Sequence, residues 1–345
     1  MRLLNHDSYE SLTRVLDQGR AIVALDVGAN EGVTSRRILE LWPSAQVWAF
    51  EPSPSVLATL RAVANEQASM RVVQAAVGAR EGLVEFHVTE DHWCSSVLAP
   101  SELGKRYYGA WLDVAQRVQV PLITLDDWSR REGVSHVDLI KVDTQGYDLE
   151  VLKGAAGLLQ SSVTAVNCEF QFASEYEGCS TFSQIDRFLG DLGFSMYQLH
   201  EVWSKGNEEQ TSCGDGLWLK SSALSALRAR RDLPDLTPAG RIGRALREHS
   251  QYSSVAIYGA GRHTRQALPG LGEHASRVGA VIDDNPALRG SVIEGKPVIS
   301  SGEALRAGVN AVILSSDTHE PALWKASSVL RAAGVKVVSL YGRYE

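Results

Sequence analysis

Asp26-Val27-Gly28-Ala29-Asn30-Glu31-Gly32 is a glycine turn between a strand pattern and a helix pattern. The apolar run at residues 21–25 precedes it, and helical spacing of apolar residues follows at residues 33–41. A second apolar run, residues 47–50, ends on Glu51. A strand, a glycine turn, a helix and a strand that ends in a carboxylate are the parts of a βαβ unit. The stretch therefore predicts a Rossmann-like α/β fold.

The charges around this turn favour one class of ligand. Glycines let the backbone approach a ligand closely, and a carboxylate at the next strand end accepts ribose hydroxyls. Carboxylates at Asp26 and Glu31 would repel a pyrophosphate, whereas a cationic ligand with an amino-acid group, such as S-adenosylmethionine, suits them. The alternative is an ordinary βα turn without a ligand. The residues predicted to bind the cofactor are Asp26, Gly28, Asn30, Glu31, Gly32, Glu51, Ala76 and Asp143.

Composition narrows the function further. The chain has 345 residues, enough for two domains, and a net charge of −7, which argues against nucleic acid or an anionic membrane as partner. It has no apolar run long enough to span a membrane, and its start turns polar too soon for a signal peptide. Its four cysteines lack C-x-x-C spacing, which predicts reduced thiols and a cytoplasmic location.

The first half alternates strand and helix patterns, which predicts a mostly parallel sheet covered on both faces. A hairpin is expected at residues 78–88, and an irregular segment, residues 89–119, contains His92, Trp93 and Trp111. An antiparallel pair at 194–203 and 214–220 is expected to close the sheet. The predicted strands are 21–27, 46–51, 70–77, 137–143 and 163–170, and the predicted helices are 32–41, 54–66, 146–160 and 181–192.

The chain changes character after residue 220. Residues 221–250 predict a helical linker, and residues 251–345 predict a second, smaller Rossmann-like α/β domain with strands at 255–258, 278–282, 311–315 and 335–340. Its turn lacks an acidic first residue, so it suits anionic oxygens better than a sulfonium ligand. The residues predicted to bind a nucleotide here are Gly259, Gly261, Arg262, His263 and Asp283.

Candidate catalytic residues lie at the carboxyl ends of the strands and in the irregular segment, because ligands of open α/β sheets bind at that edge. Asp143 and Glu169 follow two apolar strands, although Asp143 could instead cap a helix and Glu169 could bind a loop amide. His92 and His200 are candidates for a general base, the alternative being ordinary surface or core histidines. No cluster of metal-ligating residues stands out in the sequence, so no metal site is expected.

Several motifs together resemble the FkbM-type methyltransferases over residues 1–220. Besides the glycine turn and Phe50-Glu51-Pro52, they are residues 123–128, the block 138–154 with Asp143 and Asp148, Glu169, Tyr176, Gly178, Gly193-Phe194 and residues 215–218. The family implies S-adenosylmethionine-dependent methyl transfer to oxygen, often a hydroxyl of a sugar or polyketide, on a parallel sheet with one reversed strand. The family's acid-glycine pair reads Gln145-Gly146 here, which puts a catalytic or metal role for residue 145 in doubt.

The second domain resembles a small nucleotide-sugar-binding domain found before some sugar acyltransferases. The resemblance rests on residues 257–261, residues 281–286, Gly290 and residues 295–298. It implies a nucleotide-sugar as ligand. The alternative is a degenerate Rossmann domain used for docking or dimerisation, so a homo-oligomer is also open.

The sequence thus predicts an O-methyltransferase whose acceptor is a small molecule, a glycan or a nucleotide-linked sugar. Three alternatives stay open at this point. They are an N- or C-methyltransferase on the same fold, an NAD(P)-linked oxidoreductase or epimerase built on the second domain, and a docking scaffold without activity.

Overall fold

The protein is described by a computed structural model that covers residues 7–205, 210–230, 235 and 237–342. The chain divides into two compact units, His6–Arg230 and Arg231–Glu345. The division falls inside the predicted linker, 221–250. The linker contains one helix on each side of that point, and its residues 231–234 and 236 lie outside the described residues.

The first unit is built on a seven-stranded sheet in the order β3-β2-β1-β7-β8-β10-β9. A separate three-stranded sheet has the order β4-β6-β5. The strands are β1 Val23–Val27, β2 Gln46–Phe50, β3 Met70–Val73, β4 Ala76–Val77, β5 Gly82–Thr89, β6 Val114–Ile123, β7 Leu139–Val142, β8 Ala165–Gln171, β9 Phe194–Lys205 and β10 Gln210–Lys220.

Helices cover the large sheet. They are α1 Ser8–Leu12, α2 Val33–Leu41, α3 Leu57–Asn65, α4 Glu102–Tyr108, α5 Leu125–Glu132, α6 Asp148–Lys153, α7 Ala156–Ser161, α8 Phe182–Asp191 and α9 Ser221–Ala229, with 3₁₀ turns at His92–Cys94 and Gly109–Leu112.

Strand directions confirm the predicted α/β class. β3, β2, β1, β7 and β8 are parallel neighbours, β10 runs antiparallel to β8, and β9 runs antiparallel to β10. The sheet is therefore parallel apart from the reversed strand β10, and the predicted closing pair is confirmed. Because β1 lies where the strand order reverses, the turn after β1 opens onto the crevice that binds ligands in such sheets.

Three local predictions were wrong. The predicted strand 70–77 is split between two sheets, and β5 pairs with β6, about 30 residues later in the chain, rather than within a hairpin at 78–88. The predicted helix 146–160 breaks into α6 and α7 at Gly154. A Cβ on Gly154 would lie 2.0 Å from the Gly78 carbonyl oxygen. The helix ends there because the backbones of two segments touch.

The core of the first unit lies between the central strands and the helices. β7 is buried at all four positions, as expected for a parallel strand covered on both faces. Trp128 of α5 packs edge-on against Trp48 and Phe50 of β2, with ring centroids 4.9 and 4.8 Å away. These contacts fix α5 against the strand that ends on Glu51.

The second unit is also a mainly parallel sheet, in the order β13-β14-β12-β11-β15-β16. Within the described part of this unit, β13 alone is antiparallel to its neighbour. The strands are β11 Val255–Tyr258, β12 Val278–Ile282, β13 Val292–Ile293, β14 Lys296–Ile299, β15 Ala311–Leu314 and β16 Lys336–Val338. The helices are α10 Pro238–Glu248, α11 Arg262–Ala267, α12 Ser301–Arg306, α13 Glu320–Ala326 and α14 Ser328–Ala332, with 3₁₀ turns at Leu268–Gly270, Gly272–Arg277 and Pro286–Leu288.

Two further observations bear on the sequence predictions. All four cysteines are buried, and none of them forms a disulfide. Within the described ranges, no helix combines the length and the apolar character needed to cross a membrane.

Candidate active site

The glycine turn after β1 is locked against two neighbouring strands. Gly28 has φ +75°, and a Cβ there would lie 1.8 Å from the Asp143 carbonyl oxygen, so no other residue fits. The amides of Gly28 and Ala29 donate to the Phe50 carbonyl at 3.0 and 3.1 Å. The carboxyl ends of β1, β2 and β7 therefore meet at one place.

Glu51 is a buried carboxylate with spare acceptor capacity. Its Oε2 accepts from the Asn30 amide and its Oε1 from the Ser53 amide, each at 2.8 Å. Burial raises the pKa of Glu51 to about 7, against the lowering effect of these two hydrogen bonds. Each carboxylate oxygen can accept more than one hydrogen bond, so Glu51 can still receive hydroxyl donors from a ligand.

Lys141 lies buried beneath the turn, close to two carboxylates. Its Nζ donates to the Gly28 carbonyl at 2.8 Å and lies 3.3 Å from Asp26 Oδ1 and 3.7 Å from Asp143 Oδ2. Burial lowers the pKa of Lys141, but the two carboxylates outweigh it and hold the pKa above its ordinary value. The lysine thus stays charged and ties the ends of β1 and β7 together.

The turn after β7 is held by Asp148. Its carboxylate accepts from the Thr144 amide at 2.8 Å and the Gly146 amide at 3.0 Å, and burial raises its pKa to about 6. Gln145 has φ +53°, a sparsely populated conformation for a residue other than glycine. Its amide nitrogen donates to Asp143 Oδ1 at 2.8 Å, and its amide oxygen accepts from the Tyr176 hydroxyl at 3.0 Å.

These elements line a cavity at the carboxyl ends of the parallel strands, where ligands of such sheets bind. Gly28, Asn30, Glu51 and Ala76 line it on the side of β1, β2 and β4. The cavity is completed by Asp143, Gln145, Tyr147, Phe86 and Val97, and by His92 and Trp93 of the segment after β5.

The ring of His92 is oriented by Asn30. The Asn30 side-chain nitrogen donates to the His92 carbonyl at 3.3 Å, which turns the Asn30 Oδ1 towards His92 Nδ1 at 2.9 Å. An oxygen acceptor requires a donor, so the hydrogen-bond network assigns the proton of the neutral ring to Nδ1. Nε2 then presents its lone pair, 3.7 Å from Glu31 Oε1, which can stabilise the ring after protonation.

A comparison with protein families matches this part of the chain. Residues 26–196 match the model of the methyltransferase FkbM domain. The chain contains an FkbM methyltransferase domain. The match confirms the predicted family, the enzyme class and S-adenosylmethionine as the cofactor for this domain.

Two curated relatives are similar to this chain. One is 2-O-methyltransferase NoeI from Sinorhizobium fredii (strain NBRC 101917 / NGR234), 31% identical over 163 residues, which are 45% of this chain and 66% of that protein, just under two thirds of its length. The other is methyltransferase sdnD from Sordaria araneosa, 28% identical over 202 residues, which are 52% of this chain and 76% of that protein.

Solved structures of methyltransferases give weaker matches. Precorrin-6y C5,15-methyltransferase from Geobacter metallireducens GS-15 is 15% identical, with a TM-score of 0.35 over 61% of this chain and 85% of that one. Fibrillarin from Aeropyrum pernix, in complex with natively bound S-adenosyl-L-methionine, is 12% identical, with a TM-score of 0.34 over 61% of this chain and 74% of that one. Both scores lie below 0.5, so neither supports an inference about activity.

Three residues predicted to contact the cofactor do not line the cavity of the FkbM domain. Asp26 is fully buried below it, where its Oδ2 accepts from the Ser35 hydroxyl at 2.6 Å. A Cβ on Gly32 would meet Leu60 at 3.0 Å, so Gly32 serves the packing of α2 against α3. Glu31 lies outside the lining as well, beside His92. Direct contact with the cofactor is therefore corrected to support of the turn for Asp26 and to helix packing for Gly32, whereas Glu31 lies beside His92.

Two candidate catalytic residues also lie outside the cavity. Glu169 is on β8, behind Gln145, whose amide nitrogen is 3.4 Å from Glu169 Oε2. Burial, followed by the charge of Asp143, raises the pKa of Glu169. His200 is buried on β9, beside Asp215 in the strand register. β9 is three strand spacings from β7, roughly 14 Å at about 4.8 Å each, so His200 is too distant for the base.

Sequence reasoning missed two residues that shape the FkbM site. Lys141 is a charged residue inside the apolar strand Leu139–Val142, a pattern that requires a buried carboxylate partner. Phe86 lines the cavity from β5. The predicted hairpin at 78–88 did not pair this strand with β6, so the position of Phe86 was missed. Among the described residues, no three His, Cys, Asp or Glu side chains gather as a metal site.

In the second unit, two of the five predicted nucleotide ligands are engaged internally. His263 is buried, with Nδ1 2.8 Å from the Ser315 hydroxyl and Nε2 2.6 Å from the Tyr341 hydroxyl, and burial lowers its pKa. Asp283 accepts from the Ala260 amide at 3.0 Å and the Asn285 amide at 2.9 Å. Contact of His263 with a diphosphate is therefore corrected to a packing role.

The other three predicted residues form the turn after β11. Gly259 has φ +110°, and a Cβ on Gly261 would meet open space. The Arg262 side chain is 56% exposed, with its guanidinium 4.0 Å from Asp317 Oδ2. This turn keeps one exposed cation that a ligand could reach.

Proposed function

We propose that the FkbM domain transfers a methyl group to a hydroxyl oxygen of a sugar or glycan. The observation that carries the proposal is the His92–Asn30 pair, which fixes the imidazole of a residue that lines the cofactor cavity and leaves the ring proton on Nδ1, so that Nε2 can accept a proton. A hydroxyl is a weak nucleophile whose proton must leave during or after transfer, and a neutral histidine is suited to accept it.

The residues of the cavity fit S-adenosylmethionine. The backbone of the turn at Gly28 and Ala29 lines the cavity, so a ligand can approach it closely. Glu51 would accept the ribose hydroxyls. Asp143, at the far wall with one oxygen bonded to Gln145, would accept the amino group of the methionine part. Ala76 and Phe86 offer apolar surface for the adenine.

The bound cofactor supplies an electrophilic methyl group on a positively charged sulfur. His92 would take the proton of the acceptor hydroxyl on Nε2, and Glu31, 3.7 Å away, would stabilise the resulting imidazolium. Asn30 holds the ring in place through Nδ1. Positioning of the two reactants supplies much of the acceleration in such a displacement, and the rigid turn provides it.

Oxygen as the methylated atom is further supported by the relative named a 2-O-methyltransferase. An N- or C-methyltransferase would need a different acceptor. The polar cavity wall around His92 gives no specific support for a carbon acid, the acceptor of a C-methyltransferase.

His92 variants test the proposal. Replacement of His92 by Gln or Ala should lower kcat by about 10²–10⁴, the range for general acid–base catalysis, with little change in cofactor affinity. Added imidazole should restore part of the activity of His92→Ala, which loss of structure alone would not allow. His136→Gln, at a half-exposed histidine of the same unit, is the matched control. A His92→Gln enzyme within threefold of wild type would remove His92 as the base.

For the second unit, the nucleotide-sugar hypothesis stays a prediction that rests on the glycine turn and Arg262. The docking alternative also stays open. Titration of the full chain with uridine, thymidine, guanosine and nicotinamide nucleotides tests it, with Arg262→Ala as the variant that should lose binding. Absence of saturable binding would favour docking, and a preference for nicotinamide would favour the oxidoreductase alternative.

A further inference from the structure

A second cavity adjoins the cofactor cavity. It is lined by Glu90, Asp91, His92, Ala110, Trp111 and Asp113, all from the segment between β5 and β6. His92 lines both cavities. A molecule in the second cavity would therefore reach the same histidine that faces the cofactor.

The walls of this second cavity are fixed by backbone hydrogen bonds. The Glu90 amide donates to the Asp113 carbonyl at 2.9 Å, and the Asp91 amide donates to the Trp111 carbonyl at 3.1 Å. The Thr89 hydroxyl donates to the Asp91 carbonyl at 2.7 Å, which fixes the chain that carries Asp91. Backbone hydrogen bonds thus hold the 3₁₀ turn that carries Trp111 against the segment that carries Glu90 and Asp91, and the site is preformed.

Two tryptophans are exposed at this place. Trp111, in the wall of the second cavity, is 60% exposed, and Trp93, in the wall of the first, is 49% exposed. Large aromatic side chains usually bury most of their surface, so two exposed ones beside a cavity indicate a binding surface. A flat indole face matches the apolar C–H face of a sugar ring, while carboxylates accept from its hydroxyls.

The charge of the lining restricts what can bind. Glu90, Asp91 and Asp113 contribute three carboxylates, and none of the lining residues is Lys or Arg. One carboxylate oxygen of Asp91 accepts a hydrogen bond from the Trp93 amide at 3.1 Å. Carboxylates without a neighbouring cation repel phosphate and favour a neutral or positively charged ligand.

We propose that this second cavity is the acceptor site and that it takes a sugar ring stacked on Trp111. The ring carries no phosphate or nucleotide beside the hydroxyl that is methylated. The inference rests on the proposed methyl transfer to oxygen and narrows its acceptor to unphosphorylated sugars, neutral or amino-substituted, and away from nucleotide-linked sugars.

The binding experiment uses the full chain and the methyl glycosides of glucose, galactose, glucosamine and N-acetylglucosamine. Saturation-transfer NMR should detect at least one of them with wild type and should lose the signal with Trp111→Ala. In turnover, Trp111→Ala should raise KM for that glycoside by roughly tenfold, the size expected for one aromatic contact surface, while kcat stays within about twofold. Trp203→Ala, at a tryptophan of β9 that is 57% exposed, is the matched control.

The charge experiment compares methyl glucoside with glucose 1-phosphate and uridine diphosphate glucose. Wild type should bind both phosphorylated sugars at least about tenfold more weakly. Asp113→Asn should narrow that difference, because it removes one of the three carboxylates. Equal binding of the phosphorylated sugars by wild type would overturn the charge argument.

The outcomes separate the two proposals. Turnover of a glycoside with an unchanged KM in Trp111→Ala would overturn the acceptor site and leave the proposed function. Binding that depends on Trp111 without any methyl transfer would overturn the proposed function and leave the site. Neither binding nor turnover of any of these sugars would overturn both.

Discussion

The affinity for S-adenosylmethionine should depend on pH through Glu51. The raised pKa of about 7 means that Glu51 is ionised in about one molecule in eleven at pH 6 and ten in eleven at pH 8. If the ribose hydroxyls need the ionised form, Kd should fall about tenfold between pH 6 and pH 8. The charges that act on Glu51 are Lys141, which lowers its pKa, and Asp26, which raises it.

Glu51→Gln should abolish that pH dependence and weaken binding at pH 8 by about 1–3 kcal/mol, the value of a charge-assisted hydrogen-bond acceptor. Isothermal titration calorimetry at pH 6, 7 and 8 measures both effects. Glu66→Gln, at an exposed carboxylate after α3, is the control. Asp148, Glu175 and Asp215 also have raised pKa values, so the variant is needed to assign the effect. The same pH dependence in Glu51→Gln and wild type would refute the reasoning.

Three further predictions concern the first unit. Gly28→Ala should destabilise it by about 2–5 kcal/mol in urea unfolding, because a Cβ would overlap the Asp143 carbonyl. Gly178 has nearly the same φ of +71° but open space around it, so Gly178→Ala should lower the stability by only about 1–2 kcal/mol. Equal losses of stability would contradict the steric argument. Burial raises the pKa of Asp215 to about 7, so the folded state holds its proton longer than the unfolded state and loses relative stability as pH rises from about 4 to 7. The free energy of unfolding of Asp215→Asn relative to wild type should therefore rise by about 2–3 kcal/mol from pH 5 to pH 8. Tryptophan fluorescence measures the unfolding of this unit, because seven of the eight tryptophans lie in it. A difference that does not change with pH would refute the raised pKa. Methyl transfer should proceed unchanged in chelator, and loss of turnover that magnesium or calcium restores would make Asp143 and Glu169 metal ligands instead.

Local sequence signals were sufficient for the central sheet. The glycine turn, the acid at the end of β2 and the apolar strands β7 and β8 lie where the patterns predict, because buried parallel strands carry continuous apolar runs. The pairing of β5 with β6 was not predictable in this way. It joins strands separated by the segment that carries His92, and no local pattern encodes a partner that distant.

The candidate site was predictable in its location but not in its contacts. Six of the predicted residues line the cavity: Gly28, Asn30, Glu51, Ala76, Asp143 and His92. Asp26 and His263 were predicted to contact a ligand, but both are buried. Sequence places a side chain at a strand end, but its direction depends on the partner it meets. Asp26 turns inward because Lys141 and Ser35 lie there, and His263 because Ser315 and Tyr341 do.

The most direct test of the account is the fate of the methyl group. Wild type is incubated with S-adenosylmethionine carrying a ¹³C-methyl group and with the methyl glycosides named above, and the product is read by ¹³C NMR, which distinguishes methyl groups on oxygen, nitrogen and carbon. The account predicts a labelled methyl on a sugar oxygen, strongly reduced in His92→Gln. A label on nitrogen or carbon, or an O-methyl product that His92→Gln forms at the wild-type rate, would contradict it.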